Sequence, residues 1–160
     1  MTSTDKKLTV TAEPGTQELT LTRVFDAPID LVFKAHTDPK QIPLWWGPRQ
    51  YETMVEKMEA RSGGEWRFLN RSADGNEYWF HGVYHDIVPS ERIVQTFEFE
   101  GTPGHVCLET ATFEDLGGRT KLTTSSVFQS VEDRDGMVQS GMEQGAGEGF
   151  DRLDELLASR

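Results

Sequence analysis

The last stretch of the chain, residues 135–157, most constrains what it can fold into. Projected at about 100° per residue, Val138, Met142, Ala146, Phe150, Leu153, Leu156 and Leu157 gather on one side, with Glu143, Gln144, Glu148, Asp151, Asp154 and Glu155 opposite. The pattern predicts one long amphipathic helix, with Ser130 as its N-cap and Glu132-Asp133 in its first turn. Gly141, Gly145, Gly147 and Gly149 come close together within it, and each helix-interior glycine costs about 1 kcal/mol relative to alanine. Such a helix needs a broad apolar surface to lie on. Gly145 and Gly149 sit in the apolar stripe beside Ala146. Their missing bulk has two readings: close approach to that surface, or space left between helix and surface. The second would make the protein a container.

The surface is an antiparallel sheet. Six strands are expected at 53–59, 65–71, 77–88, 91–100, 105–114 and 120–128. They are separated by Gly63-Gly64, Ala73-Asp74-Gly75-Asn76, Pro89-Ser90, Gly101-Thr102-Pro103-Gly104 and Leu116-Gly117-Gly118. Strands joined only by short turns form a meander. Upstream, 18–25 alternates as a further strand. Pro28 opens a short helix over 29–35, Asp38-Pro39 introduces a second over 40–44, and Trp45-Trp46-Gly47-Pro48 stops it. Residues 1–17 are a polar segment that either adds an edge strand through Leu8-Thr9-Val10 or stays disordered. Residues 18–160 read as one α+β domain. Its seven-stranded curved antiparallel sheet wraps around a long C-terminal helix, and two short helices follow the first strand.

Composition narrows the function classes. A net charge of −11 argues against a nucleic-acid partner, because phosphate binding needs clustered Lys and Arg. It also makes an anionic membrane surface unattractive. One cysteine, Cys107, excludes an intrachain disulfide and suits a reducing compartment. Met1 to Lys7 lacks the apolar core of a secretion signal, and no apolar run nears the roughly 20 residues of a membrane span. A soluble cytoplasmic protein is expected.

The order of elements and a set of local motifs resemble the helix-grip, START-like (SRPBCC) superfamily. More narrowly, they resemble the family named for the Hsp90 ATPase activator homologue, mostly small bacterial proteins. The matching segments are Phe25-Asp26-Ala27-Pro28, Trp45-Trp46-Gly47-Pro48, Gly63-Gly64-Glu65-Trp66-Arg67, Asp74-Gly75 with Gly82 downstream, Pro89-Ser90-Glu91-Arg92-Ile93, Gly117-Gly118-Arg119-Thr120, Gly141-Met142-Glu143-Gln144-Gly145 and Asp151-Arg152-Leu153. The resemblance spans about Glu18 to Leu157 and implies a cavity between sheet and C-terminal helix. Many members carry a bulky residue, often Trp, after the glycine that matches Gly145. Here that residue is Ala146, which widens the space beneath the helix unless Phe150 fills it.

Strand parity then selects the inward side chains. Trp66 and Phe68 share a face. So do Tyr78, Phe80, Gly82 and Tyr84, with Val83 and Ile87 making the opposite face partly apolar. Ile93, Gln95, Phe97 and Phe99 face in. Cys107, Glu109, Ala111 and Phe113 share one parity, as do Leu122, Thr124, Ser126 and Phe128. The residues expected to border a ligand cavity are Trp45, Trp46, Trp66, Phe68, Phe80, Tyr84, Gln95, Phe97, Phe99, Glu109, Met142, Ala146 and Phe150. Alternatively these aromatics simply pack as the core. Two adjacent Trp cannot both face inward, so one of Trp45 and Trp46 anchors the short helices and the other borders the opening. An inward Glu109 is costly unless paired or protonated. It meets a partner such as Arg49, serves a ligand, or is turned to solvent by a bulge.

Catalytic and metal motifs are missing. His81 and His85 share a strand face but stand about 13 Å apart at the strand rise. No HExxH, GxSxG, P-loop or GxGxxG occurs, and Cys107 has no activating His nearby in sequence. No metal, cofactor or catalytic residue is assigned. The leading expectation is binding of a hydrophobic or amphipathic small molecule. A second, implied by the resemblance, is a co-chaperone for an Hsp90. The activators that give the family its name look like two-domain proteins, and 160 residues leave no room for their extra domain. A third is a cyclase- or dehydratase-type enzyme in which Glu109, Tyr78, Tyr84 and Gln95 orient a carbonyl or hydroxyl. The chain is expected to be a monomer or a homodimer, the latter through Trp79 and Val83 on the outer face.

Overall fold

Alternation of apolar and polar side chains builds one eight-stranded sheet in the computed structural model, which describes residues 8–159. Residues 1–7, including the stretch read above as lacking a secretion signal, and residue 160 lie outside them. The strands are β1 (Thr9–Thr11), β2 (Glu18–Phe25), β3 (Tyr51–Met58), β4 (Glu65–Ser72), β5 (Glu77–Val88), β6 (Arg92–Phe99), β7 (Val106–Asp115) and β8 (Thr120–Val127). Between β2 and β3 lie α1 (Ile29–Thr37) and α2 (Ile42–Trp45). After β8 come α3 (Val131–Gln139) and α4 (Met142–Ala158). Every neighbouring pair is antiparallel, in the order β1-β2-β8-β7-β6-β5-β4-β3. The expected six-strand meander is β3 to β8.

Three features differ from the sequence reading. The sheet has eight strands, not seven, because β1 pairs with β2 through Thr9↔Thr22 and Thr11↔Thr20 and seats Val10 against the Leu19–Leu21 cluster. A bulge between Tyr84 and Asp86 shifts the register of β5, so Ile87 pairs with Ile93 and packs on the core rather than sharing the outer face with Val83. The single long C-terminal helix is two helices. Ser130 does cap the first, accepting from the Asp133 amide at 3.0 Å. The chain then breaks at Ser140-Gly141, where Gly141 takes a left-handed φ of 87° that glycine alone adopts without strain.

The core divides along the sheet. Around α1, α2 and the C-terminal half of α4, Phe25, Val32, Phe33, Trp45, Phe113, Leu122, Leu153 and Leu157 are buried together. A second cluster of Leu19, Leu21, Cys107 and Phe128 is covered by Met137, Val138, Met142 and Ala146 of the C-terminal helices. Burial falls along α4 from end to start. Leu153 and Leu157 are sealed, whereas Met142 and Ala146 stay partly exposed. On the outer face, Leu69 is buried between Met54 and Trp79, and the Arg67 guanidinium lies 3.8 Å above the Trp79 ring. The outer-face Trp79 thus already has a cover within its own chain.

Two glycines separate close packing from spare helix positions. A Cβ on Gly82 would collide with the Thr96 carbonyl oxygen and stand 2.6 Å from the Trp66 indole nitrogen, whereas one on Gly147 meets nothing within 4 Å. Gly82→Ala is therefore expected to destabilise by about 2 kcal/mol or more. Gly147→Ala should stabilise by up to about 1 kcal/mol. Chemical denaturation of the two variants checks both signs.

Candidate functional site

The register of the sheet lines up one polar row across the concave face. Leu19 pairs with Ser126, Ser126 with Glu109, Glu109 with Gln95, and Gln95 with Tyr84. Four adjacent strands thus present a hydroxyl, a carboxyl, an amide and a phenol in line. The rows on either side are mostly apolar. One holds Phe97 opposite Cys107; the other holds Leu21, Thr124, Ala111, Ile93 and Ile87. Gln95 Nε2 donates to Glu109 Oε1 at 3.3 Å, and the Ser126 hydroxyl also bonds to the carboxylate.

Beside this row stands a continuous aromatic wall. Trp46 packs edge-on against Trp66, Phe68 and Phe80, with ring centroids 6.5, 5.2 and 5.4 Å away. Phe80 touches Phe97 and Phe99 at 5.5 and 5.2 Å, and Trp66 reaches Phe97 at 6.0 Å. Trp66, Phe68 and Tyr84 are buried as its base, whereas Trp46, Phe80, Phe97, Phe99, Gln95 and Glu109 keep partial exposure. Tyr78 carries the wall outward, packing on Phe99 and on Tyr51 at 6.4 and 5.6 Å. There the surface opens into a hollow of about 400 Å³ lined by Gln50, Tyr51, Ser72, Ala73, Asp74, Asn76 and Tyr78.

The paired tryptophans divide their labour. Trp45 is buried and donates its indole N–H to the Ala35 carbonyl at 3.0 Å. It stacks on Phe150, which itself packs against Phe25. Trp45 and Phe150 thus lie in the core beneath α1 rather than beside the polar row, and Phe150 turns away from the space next to Ala146. The expectation that Gly145 and Gly149 leave a void is corrected. A Cβ on Gly145 would meet Pro48 at 3.3 Å, and one on Gly149 the Trp45 carbonyl oxygen at 3.3 Å and the Gly47 nitrogen at 3.4 Å. Their smallness serves close approach to the turn after α2. From α4, Ala146 and Met142 pack on the sheet cluster that holds Cys107, which Phe97 also joins.

Glu109 is the chemically informative member. Leu108 before it is exposed on the outer face, so no bulge turns Glu109 out. Arg49, a possible partner by sequence, instead pairs with Glu155. Among the described residues no cation pairs with Glu109, and burial among apolar groups pushes its carboxyl up to about 7. Burial and the neighbouring Glu109 charge also push the Cys107 thiol up, which removes the thiolate that a nucleophile needs. Among the described residues, no three His, Cys, Asp or Glu side chains gather in a way that could hold a metal ion. Nor is any helix among the described residues long and apolar enough to cross a membrane.

Comparison with known proteins fits this architecture. Residues 26–158 match the model of the family described as Activator of Hsp90 ATPase homolog 1-like protein. The chain belongs to this family. A solution structure of an Arthrobacter aurescens protein is 26% identical, covers 95% of this chain and 92% of its own, and superposes with a TM-score of 0.87. Protein Ms6760 from Mycobacterium smegmatis is 25% identical over 94% of this chain and 96% of its own, with a TM-score of 0.85. A Rhodobacter sphaeroides protein at 23% identity and TM-score 0.88, covering 96% and 99% of the two chains, is alike in fold. No curated protein matches the sequence.

Sequence reasoning missed Ser126 and the hollow at Tyr51 and Tyr78. Parity puts Ser126 on the same side as Leu122, but only the cross-strand register sets it beside Glu109. The protonation of the row has a measurable consequence. Glu109 holds its proton more tightly folded than unfolded, so its contribution to stability is full below its ordinary value of 4.5 and lost as pH rises towards about 7. His36 runs the other way. Burial lowers it to about 4, so its contribution is present above 6.5 and lost as pH falls towards 4. Glu109→Gln removes the first slope alone. The variant is expected to gain on the order of 1–3 kcal/mol over the wild type between pH 5 and pH 8, read from thermal melts. A difference that stays flat over that interval would place the carboxyl in water.

Proposed function

We propose that the protein binds an amphipathic small molecule in the groove between the concave sheet face and the start of α4. The observation that carries this reading is the row Ser126, Glu109, Gln95 and Tyr84 laid between apolar rows and left partly accessible at Gln95 and Glu109. A few polar groups set in an apolar wall suit ligand recognition, since the wall supplies burial and the polar groups fix orientation. A core that only needed to be filled would gain nothing from a carboxyl with no cationic partner, which is costly to bury in its ionised form. Family membership supports a role of this general kind. The family description also gives a second reading, stimulation of an Hsp90 ATPase. Unchanged ATP turnover when the protein is mixed with a cognate Hsp90 would remove it.

Trp46 stands in the groove wall, so bound ligand changes its emission. An uncharged aromatic probe such as N-phenyl-1-naphthylamine is expected to bind and quench it. Ala146→Trp should weaken that binding about tenfold or more while leaving the melting transition cooperative, because the added ring occupies the opening beside Phe97. Equal probe affinity in the variant and the wild type would rule out this groove as the binding place.

A further inference from the structure

Resting on the groove reading, we infer that the occupant is a lipophilic cation, a protonated amine whose charge seats against Glu109 and whose apolar body lies along Trp46, Phe80 and Phe97. The groove presents charge of one sign only. Both groups that bond to the Glu109 carboxyl, Gln95 and Ser126, are neutral. The two buried arginines among the described residues, on β2 and α3, are held elsewhere. Arg23 pairs with Asp151 at 2.7 Å, and Arg134 is fixed by Asp135 at 2.9 Å and by the Glu18 carbonyl at 3.0 Å. From α4, the residues facing the groove are Met142 and Ala146, which bring no charge. Cys107 and Tyr84 are themselves acids, so neither can balance a carboxylate.

The ionised form of such a site lacks a cationic partner, and a ligand can bring one. A cation offsets part of the stabilisation that a buried carboxylate loses on leaving water. The aromatic faces beside it attract the same charge through their quadrupoles. A carboxylate ligand meets the opposite situation, two acids sharing one apolar space. A neutral alcohol gains one hydrogen bond and no charge pairing. The net charge of −11 adds long-range attraction for cations, but that contribution is common to any acidic surface and is separated by the variant below.

Three probes of one chain length decide the matter: octylamine, 1-octanol and octanoate. Each is titrated into the full chain at neutral pH, with Trp46 emission and calorimetry as readouts. Octylamine is expected to bind about tenfold or more tightly than the other two. Glu109→Gln, nearly the same shape and relieved of a buried acid, is expected to abolish that preference, so that octylamine and 1-octanol bind the variant alike. Octanoate or octanol binding as tightly as octylamine would overturn the cationic occupant and leave the groove reading standing. So would a preference for the amine that survives Glu109→Gln. If none of the three binds and the uncharged naphthyl probe fails as well, the groove reading falls, and this inference with it.

Discussion

Arg152 and Gly149 fasten α4 to the turn after α2, and the seating of the helix on the concave face depends on that attachment. Arg152 donates to the Gly47 carbonyl at 3.0 Å and the Leu44 carbonyl at 3.2 Å, the exposed acceptors at the end of a short helix. Gly149 lets the helix backbone lie against Trp45 and Gly47, and Gly145 does the same beside Pro48. Beyond these contacts Leu153 and Leu157 sink fully into the core. Towards its start the helix has only Met142 and Ala146 to cover the sheet, and Gly141 ends its continuity with α3.

The sheet also keeps its charges on separate faces. On the outer side Arg67 binds Glu100 through two bonds of 2.7 and 2.8 Å, and His81 lies 2.9 Å from the same carboxylate. Arg67 first, then His81, pull the Glu100 carboxyl down to about 2. Inside, an acid of the same chemical type is raised instead, because burial among apolar groups outweighs the hydrogen bonds that Gln95 and Ser126 give it. The contrast is one of partners: two cationic groups hold the outer carboxyl, whereas only neutral groups bond to the inner one. That asymmetry makes Glu109 the single inward carboxyl of its row able to exchange a proton near neutrality.

Much of this architecture was legible from the residues, for reasons that differ between elements. Turn chemistry at Ala73-Asp74-Gly75-Asn76 and alternation along β2 and β4 are local signals, so the meander and the inward Trp66 and Phe68 followed directly. Ser130 as an N-cap is equally local. The break at Gly141 was not legible, since four nearby glycines carry the same helix penalty and only the backbone shows which one turns left-handed. The bulge in β5 hid Ile87 for a related reason, because an extra residue leaves no mark in an alternating pattern. The alignment of Ser126, Glu109, Gln95 and Tyr84 needs the register of four strands at once. The two readings of the small residues in α4 were both open in the sequence, and the structure divides them. Gly145 and Gly149 allow close approach, while Ala146 stands over the half-open wall.

The account rests on the concave face holding a guest in the cell. Native mass spectrometry of the protein purified from its own host, under gentle ionisation, tests that most directly. A population carrying a bound mass of a few hundred daltons, lost on unfolding, is the predicted result. A single species at the bare chain mass, from the same preparation and with no added mass even at the mildest setting, would contradict it.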